Sequence, residues 1–337
     1  MVTSPTFESY SQNGEDVVLW RALRAVEHGR YIDVGANHPK YLSISRAFYE
    51  RGWSGIAVEP DPEFANLQRE ERPRDTLIEA AATAEEGGNV TLHVVDSTGL
   101  STLDRSLAQI HAESGFDTHD LTVPTRRIDA VLAECGWAGQ DIHYMSVDTE
   151  GSERQVLEGI DLTVWRPWIL VIEATAPLST DSTRDRWETV VTDAGYQLCL
   201  FDGLSCFYVA EEHTSELQPL LSYPACPHDD YITLEARECA ERAAAIPGLV
   251  EEVSRWRAQA MTRWATAVAN TAELLEVRDQ LAEVRRQFRQ LQEEHHQLFE
   301  SAGRMHQQIV DLHESTSWRV TKPLRAATTA VTRSRRG

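Results

Sequence analysis

Short apolar runs alternate with helical stretches along the first 210 residues of the chain. This alternation predicts βαβ units and a mainly parallel sheet, so the expected fold class is α/β. The runs that we assign to strands are Tyr31–Val34, Gly55–Glu59, Thr76–Ala80, Val90–Val95, Tyr144–Asp148, Ile169–Glu173, Gln197–Phe201 and Cys206–Ala210. The last two flank Asp202-Gly203, a turn that predicts an antiparallel hairpin at the end of the sheet.

From about Glu251 the pattern changes, because glycine becomes rare and apolar or small residues recur at alternating steps of three and four. They fall on successive a and d positions: Leu274, Val277, Leu281, Val284, Phe288, Leu291, His295, Leu298, Ala302, Met305, Ile309 and Leu312. These heptads predict a coiled coil, with one long amphipathic helix folded back on the preceding domain as the alternative. His295 and Ala302 weaken two core layers, so we expect a modest dimer or trimer.

The predicted organisation follows from these two patterns. It comprises a domain over residues 1–232, a helical linker over 233–256, a coiled coil over 257–316 and a basic tail over 317–337.

The segment Asp33-Val34-Gly35-Ala36-Asn37 links the first strand to the next helix. Gly35 has no Cβ, so a ligand can approach the backbone closely at this turn. Pro39 suits the first turn of the following helix, and Gly52 is placed to end it about three turns later. Glu59 ends the next strand, where an acid can accept both ribose hydroxyls of an adenosine. These features predict a nucleoside site.

The identity of the nucleoside depends on the glycines of the turn. A dinucleotide site needs G-x-G-x-x-G, because its pyrophosphate lies against bare backbone at a helix N-terminus. Here Gly35 stands alone, and His38 and Pro39 occupy positions where further glycines would fall. The turn therefore favours S-adenosylmethionine, which lacks phosphates, over NAD.

Composition narrows the class of protein. At 337 residues with 42% hydrophobic content, the chain can bury a full α/β core and still have an extension. A formal net charge of -21 argues against a nucleic-acid partner, since phosphate neutralisation needs a basic face. Five cysteines without a C-x-x-C pair, an N-terminus without an apolar stretch and the lack of long apolar runs favour the cytoplasm.

Acids also follow the later strands. Asp148 and Glu150 come after Tyr144-Met145-Ser146-Val147, and Glu173 comes after Ile169-Leu170-Val171-Ile172. Ligands of such sheets bind beyond the carboxyl ends of the strands, so these acids should lie at the same edge as Asp33 and Glu59. We expect Glu153 and Glu158, by contrast, on the outer face of the following helix.

Three segments resemble the FkbM-type methyltransferases. Tyr10-Ser11-Gln12-Asn13-Gly14-Glu15-Asp16 is similar to the S-Q-x-x-E-D segment of that family, Ile32-Asp33-Val34-Gly35-Ala36-Asn37 to its first cofactor motif, and Ser146 to Glu153 to its D-x-E-G-x-E segment. The resemblance covers roughly residues 8 to 210. It implies a Rossmann-like class I methyltransferase sheet and an S-adenosylmethionine-dependent O-methyltransferase of glycan or natural-product biosynthesis.

The resemblance also implies the site residues. Those expected to bind the cofactor are Gln12, Glu15, Asp33, Gly35, Ala36, Asn37, Glu59, Pro60, Ser101 and Asp148. Gln12 and Glu15 would close over the cofactor, and Gly99-Leu100-Ser101-Thr102 resembles the loop that often crosses the active site. One departure is Pro39, which replaces the last glycine of the family's D-V-G-A-N-x-G and makes the turn stiffer.

Methyl transfer to an oxygen requires alignment of the acceptor with the sulfonium carbon and removal of the hydroxyl proton. A sugar hydroxyl is a poor acid, so a general base or a metal must assist. The candidate catalytic residues are Asp148, Glu150, Glu173 and His38, of which the first two rank highest; we expect His143 to be a packed or surface histidine. Paired acids are also suited to a divalent cation such as Mg²⁺ that chelates two sugar hydroxyls, and the sequence leaves this alternative open.

The basic tail carries six cations and no acids after Glu314. Ser317 to Arg325 resembles a short S-W-R-x-T-x-P-L-R element at the termini of bacterial surface-glycan enzymes. A tryptophan beside several cations also suits an anionic membrane surface or an acidic partner, and a disordered solubilising tail is the alternative.

Two functions fit this sequence. The first is an O-methyltransferase for a sugar or glycolipid acceptor, assembled as a homo-oligomer through the coiled coil and held at the inner face of the membrane or on a glycosyltransferase by its tail. The second is a non-catalytic scaffold whose first domain is a cofactor-binding relic. Retention of Asp33, Gly35, Glu59, Asp148 and Glu150 favours the enzyme.

Overall fold

The computed structural model describes residues 6–96, 98–177, 179–267 and 271–314. Residues up to Leu234 form one compact unit, and residues from Glu235 form a second. Within the described ranges the strands are β1 (Phe7–Ser9), β2 (Arg30–Val34), β3 (Ser54–Val58), β4 (Thr76–Ile78), β5 (Ala81–Ala82), β6 (Asn89–Val95), β7 (Thr118–Arg126), β8 (Ile142–Val147), β9 (Pro167–Glu173), β10 (Tyr196–Phe201), β11 (Ser205–Ala210) and β12 (Tyr231–Thr233). The α-helices are α1 (Glu15–Leu23), α2 (Arg46–Glu50), α3 (Pro62–Glu71), α4 (Arg105–Glu113), α5 (Ile128–Glu134), α6 (Glu153–Glu158), α7 (Glu188–Asp193), α8 (Thr214–Leu221), α9 (Leu234–Ala267) and α10 (Thr271–Glu314).

The first unit is built on a seven-stranded sheet in the order β10-β11-β9-β8-β2-β3-β4. Strand β2 is parallel to both of its neighbours, so that Ile32 lies opposite Ile56 of β3 and Met145 of β8. Strand β11 is antiparallel to β9 and to β10. The predicted mainly parallel sheet with a closing antiparallel hairpin is therefore confirmed.

Apolar layers cover both faces of this sheet. Alternate residues of one strand enter opposite layers: Ile32 packs with Trp187, whereas Tyr31 packs with Phe48 and Trp53. All six residues of β8 are buried, as expected for a parallel strand covered on both sides. The edge formed by the strand ends is consequently the open part of the sheet, and polar side chains collect there.

The strand predicted at Val90–Val95 exists as β6, but it lies outside the main sheet. It pairs antiparallel with β7, and the short β5 completes a separate three-stranded sheet. Strand β7 was not predicted from the sequence. Most of its residues are exposed, with Val123 and Thr125 buried, so its apolar alternation is too weak to be recognised.

The helix predicted from Pro39 to Gly52 is wrong in its first half. Only Arg46–Glu50 is helical, and the preceding residues form turns. Asn37 and Leu42 have φ values of 45° and 58°, which a right-handed helix cannot accommodate. Proline at position 39 therefore stiffens a turn and does not open the helix.

The N-terminal segment is fastened to the first unit by Asp16. Its carboxylate accepts hydrogen bonds from the hydroxyls of Ser9 and Ser11, both at 2.7 Å, and from Tyr10 N at 2.7 Å. Strand β1 also pairs in parallel with β12. This brings Gln12 and Glu15 to the first unit in a defined arrangement.

The second unit, as far as it is described, consists of the long helices α9 and α10. Charged side chains pair along them at i,i+4 spacing, such as Glu238 with Arg242 and Glu300 with Arg304. The predicted coiled-coil association stays a prediction, and residues 268–270, 315–316 and the basic tail 317–337 lie outside the described residues. Among the described helices, none has both the length and the apolar character needed to cross a membrane.

Candidate active site

A cavity of about 1130 Å³ opens at the carboxyl ends of β2, β3, β8 and β9. It exceeds the 300–1,000 Å³ typical of sites for one small molecule. The predicted site residues that line it are Gln12, Asp33, Gly35, Ala36, Asn37, His38, Glu59, Pro60, Ser101, Asp148, Glu150 and Glu173. The structure thus brings together at one edge of the sheet residues that the sequence places far apart, in a volume suited to a cofactor and a second molecule.

Gly35 turns the chain sharply at the base of the cavity. Its φ is +79°, and a Cβ at this position would lie 1.7 Å from the carbonyl oxygen of Asp148. The turn is held by Gly35 N and Ala36 N, which donate to Val58 O at 3.0 and 3.2 Å. Glycine is required here for close packing between the turn and the end of β8 as well as for backbone conformation.

Glu59 lies directly after β3 and is buried. Its two oxygens accept backbone hydrogen bonds at 2.7 Å each, Oε2 from Asn37 N and Oε1 from Asp61 N. Burial raises the pKa of Glu59 to about 7, against the opposing effect of these two N–H donors. Each carboxylate oxygen keeps a further lone pair, so a fixed bidentate acceptor faces the cavity.

Asp33 is held by hydroxyl groups from two other segments. Ser146 Oγ donates to its Oδ1 at 2.8 Å, and Ser45 Oγ donates to its Oδ2. Ser45 in turn accepts from Arg72, a residue that is 1% exposed and whose guanidinium forms an ion pair with Asp75 at 2.8 Å. A buried cation therefore lies one hydroxyl away from Asp33 and fixes it at the base of the cavity.

Helix α3 supplies a second support that the sequence analysis missed. Gln68 is buried, and its Nε2 donates to the carbonyl oxygens of Ala36 and Asn37 at 3.2 and 2.9 Å. Gln68 and Arg72 are four residues apart and so lie on one side of the chain at the end of α3. Two polar residues at that spacing are the signal that points to a polar inner face of this helix.

Gln12 and Glu15, the two cofactor residues predicted near the N-terminus, occupy different environments in the structure. Gln12 is exposed and lines the cavity, whereas Glu15 is buried and does not line it. Glu15 Oε2 accepts from Asn13 N at 2.8 Å, and burial, with a smaller effect of Asp202, raises its pKa to about 7. Glu15 therefore fixes the turn that carries Gln12.

The His38 ring forms hydrogen bonds with the backbone of the turn that contains it. Its Nδ1 accepts from Lys40 N at 3.0 Å and from Tyr41 N at 3.2 Å. Burial lowers the pKa of His38, so the neutral ring is favoured and carries its proton on Nε2. A nitrogen that already accepts two hydrogen bonds cannot take a substrate proton, and this geometry favours a positioning role over the catalytic role assigned to His38 from the sequence.

The loop before α4 borders the cavity through Gly99, Leu100 and Ser101. Ser101 Oγ accepts from Val95 N at 3.2 Å, which ties the loop to β6. Thr102 Oγ1 donates to Glu150 O at 2.7 Å, so the same loop also fixes the segment after β8. The loop joins the small sheet to the acids at the end of the main sheet.

Asp148, Glu150 and Glu173 form a cluster in which each residue offers a carboxylate oxygen within 4.8 Å of the others. Asp148 is exposed to the cavity, Glu150 is half-buried and Glu173 is buried. Burial, followed by the charge of Asp148, raises the pKa of Glu150 and of Glu173. Although Asp148 faces the cavity, desolvation by the surrounding protein also raises its pKa, against a hydrogen bond with Glu173. The cluster therefore resists carrying its full negative charge without a compensating partner.

The prediction that Glu153 lies on the outer face of α6 is wrong, because Glu153 is buried. Its Oε1 accepts from Gly151 N at 2.9 Å and from Thr149 N at 3.3 Å. These bonds hold the bend at Glu150, which has a φ of 49°. Glu158 is exposed as expected. His143 is also packed as expected, with Nδ1 accepting from Arg30 N at 3.0 Å.

Residues 33–198 match the family model described as Methyltransferase FkbM domain. Among solved structures, methyltransferase FkbM from Methylobacillus flagellatus KT aligns at 16% identity with a TM-score of 0.32 over 54% of this chain and 44% of that one. A TehB-like SAM-dependent methyltransferase from Corynebacterium glutamicum ATCC 13032 aligns at 11% identity with a TM-score of 0.33 over 58% of this chain and 87% of that one. The chain thus spans less than half of the Methylobacillus protein, and no curated protein matches it.

Proposed function

Because residues 33–198 form a methyltransferase domain of the FkbM family, we propose that this chain transfers the methyl group of S-adenosylmethionine to a hydroxyl oxygen. The observation that carries the proposal is the arrangement of Glu59, Gly35 and Asp148 around one cavity. Glu59 provides a hydrogen-bond acceptor for the ribose diol, Gly35 allows a close approach to the backbone, and Asp148 provides an acid. All three lie beyond the strand ends, which is where ligands of parallel sheets bind.

The described residues fit S-adenosylmethionine in three respects. Glu59 presents a carboxylate whose oxygens each keep a lone pair for one ribose hydroxyl. Gly35 leaves free the space where a side chain would obstruct the turn. Gln12 borders the same cavity from the N-terminal segment. When bound, S-adenosylmethionine supplies an electrophilic methyl group on a positively charged sulfur, a charge that the surrounding acids favour.

The acid cluster provides the proton acceptor for the second substrate. Asp148 is the member exposed to the cavity, so it is the group best placed to contact an acceptor hydroxyl. Glu153 and Thr102 hold the backbone on either side of Glu150 and keep the cluster together. Transfer requires the acceptor oxygen in line with the methyl carbon, and such positioning contributes a large part of the rate of a two-substrate reaction.

A sugar hydroxyl of a surface glycan, glycolipid or related natural product is the acceptor that we propose. Carboxylates are suitable hydrogen-bond partners for neighbouring sugar hydroxyls, and the cavity has room for more than the cofactor. A divalent cation such as Mg²⁺ is compatible with the same acids.

We also propose that α10 forms a homo-oligomer. Phe288 and Ile309 are exposed at heptad positions of that helix, and association of two or three copies would bury them. The basic tail would hold the oligomer at the inner face of the membrane or on a glycosyltransferase. A non-catalytic scaffold is the alternative function, and it predicts oligomers that lack methyl transfer.

The test uses S-adenosylmethionine carrying a ¹³C-labelled methyl group, incubated with the full chain and sugar-containing extracts. The expected product shows a methyl ¹³C resonance in the methyl ether region, which separates O-methylation from N- or C-methylation. Asp148→Asn should abolish this signal and leave the fold intact, and Glu158→Gln on the exposed side of α6 serves as the matched control. An oligomer that binds S-adenosylmethionine but transfers no methyl group to any extract would favour the scaffold.

A further inference from the structure

The three carboxylates of the acid cluster lack a cationic side chain to balance them. Asp148, Glu150 and Glu173 each offer an oxygen within 4.8 Å of the other two. In the part of the chain that the structure describes, no lysine or arginine forms an ion pair with any of them. Buried acids in proteins are paired, protonated or bound to a metal, so a cation and protons compete to neutralise this cluster.

Two oxygens of the cluster lack any hydrogen-bond partner among the described residues. Glu173 is 9% exposed, and its Oε2 is buried and unpartnered although the residue borders the cavity. Oε2 of Glu150 is in the same state. The neighbouring Glu153 differs, because its Oε1 accepts hydrogen bonds from Thr149 and Gly151. Leaving a buried polar atom without a partner costs about 1–3 kcal/mol, and more when the group is charged.

We propose that Asp148, Glu150 and Glu173 bind one divalent cation of the Mg²⁺ or Mn²⁺ type. All three ligands are carboxylate oxygens, the donor type that hard cations prefer over the nitrogen and sulfur donors that zinc favours. The cation would satisfy the orphaned oxygens of Glu173 and Glu150. Asp148 is exposed, so the remaining coordination positions would face the cavity.

The role of this cation rests on the proposed methyl transfer, whereas its binding does not. A bound cation would orient an acceptor hydroxyl and lower its pKa, which supplies the assistance that a sugar hydroxyl needs. A vicinal diol would be favoured over an isolated hydroxyl, because two neighbouring oxygens can occupy two adjacent coordination positions. We therefore expect the acceptor to be a sugar with neighbouring hydroxyls.

The site is tested with Mn²⁺ alone, whose electron paramagnetic resonance signal broadens when the ion binds to a protein. The full wild-type chain, without S-adenosylmethionine, should bind one Mn²⁺ per chain and release it when Mg²⁺ is added. Glu173→Gln preserves shape and removes the ligand charge. Since losing even an outer-shell group costs about 10–100-fold in metal affinity, this loss of a direct ligand should weaken binding by about 100-fold or more.

Two controls keep the result interpretable. Glu158→Gln removes an exposed acid of α6 that does not line the cavity, and it should bind Mn²⁺ like the wild type. Circular dichroism should show that Glu173→Gln folds normally, and Asp148→Asn provides a second ligand variant with the same expected loss. The proposal is overturned if wild-type protein binds no Mn²⁺, or if both ligand variants bind it as the wild type does.

Calorimetry with S-adenosylmethionine on the same preparations separates this proposal from the proposed function. Mn²⁺ binding without S-adenosylmethionine binding would leave the metal site standing and remove the methyltransferase. Methyl transfer that continues unchanged in a chelator would overturn the role of the cation in the reaction and leave the methyltransferase, whereas binding of the cation is decided by the Mn²⁺ titration.

Discussion

Replacement of Gly35 by alanine tests the packing at the base of the cavity. The new Cβ would lie 1.7 Å from the carbonyl oxygen of Asp148, where contacts below 3.0 Å are not tolerated. The backbone of Asp148 cannot move away from this Cβ freely. Its N–H donates to Val34 O at 3.0 Å and so continues the pairing of β8 with β2. The substitution must therefore displace the end of one of these central strands.

The size of the effect follows from three contributions. A left-handed conformation costs a residue with a side chain about 1–2 kcal/mol. Loss or distortion of the Asp148–Val34 hydrogen bond adds about 1 kcal/mol, and the strand displacement adds to this, so we expect Gly35→Ala to lower the free energy of unfolding by about 3 kcal/mol or more. Gly52 is a matched control, because its φ is +87° and nothing lies within 4 Å of its added Cβ. Gly52→Ala should cost only the conformational part, about 1–2 kcal/mol.

The assay is guanidinium unfolding of the full chain followed by near-ultraviolet circular dichroism, which reports on buried aromatic residues such as Trp53 and Trp187. Gly35→Ala should also lose binding of S-adenosylmethionine, while Gly52→Ala keeps it. Equal destabilisation by the two substitutions would mean that the contact with Asp148 has no energetic consequence.

Four further predictions concern Glu59, His38 and Arg72, which surround the cavity. Burial raises the pKa of Glu59 to about 7, so its accepting carboxylate form is lost as the pH falls below that value, and affinity for S-adenosylmethionine in calorimetry should drop by about tenfold per pH unit below 7. Because the folded-state pKa of this acid is raised, its contribution to stability is full below its ordinary value of 4.5 and declines as the pH rises through 7, a decline that Glu59→Gln should lack in urea unfolding. His38→Asn keeps an acceptor for the backbone N–H groups of the turn, so its kcat should stay within about threefold of wild type, whereas a general base would cost about 100-fold or more. Arg72→Met leaves Asp75 as an unpaired buried charge and should lower the free energy of unfolding by about 3–5 kcal/mol. The double variant Arg72→Met/Asp75→Asn should recover part of this loss. An Arg72→Met protein as stable as the wild type would contradict the buried ion pair.

The location of the site could be predicted because parallel strands end at one edge of a sheet. Asp33, Glu59, Asp148 and Glu173 each follow or end an apolar run, so recognising the runs was enough to bring the acids together. Gly35 was equally accessible, since a lone glycine directly after a strand indicates a tight turn.

The supports of the site could not be predicted in the same way. Gln68 and Arg72 act across the space between α3 and the turn at Gly35, and no local pattern specifies that contact. Glu153 has the spacing of an exposed helical residue, but it is buried because it accepts hydrogen bonds from the bend before α6. Backbone donors and acceptors that a bend leaves unpaired are visible only when the bend itself is known.

The secondary structure that was missed has a related cause. Strand β7 is mostly exposed, so the hydrophobic pattern that marks a strand is faint there. The false first half of the helix after Gly35 came from Pro39, which is as suitable for a turn as for a helix start. The left-handed conformations of Asn37 and Leu42 show that this segment is a turn and not a helix. Neither residue is a glycine, so no sign of these conformations is visible in the sequence.

We propose that the cavity at the strand ends binds S-adenosylmethionine through Glu59, and isothermal titration calorimetry measures this binding directly. The wild-type chain at pH 8 should bind one S-adenosylmethionine, and Glu59→Gln should weaken binding by about 10- to 100-fold, since removing one partner of a buried hydrogen bond costs about 1–3 kcal/mol. Glu63→Gln, at an exposed position of α3, is the matched control and should bind as the wild type does. Absence of binding to the wild-type chain, or equal binding by Glu59→Gln, would show that Glu59 does not hold S-adenosylmethionine in this cavity.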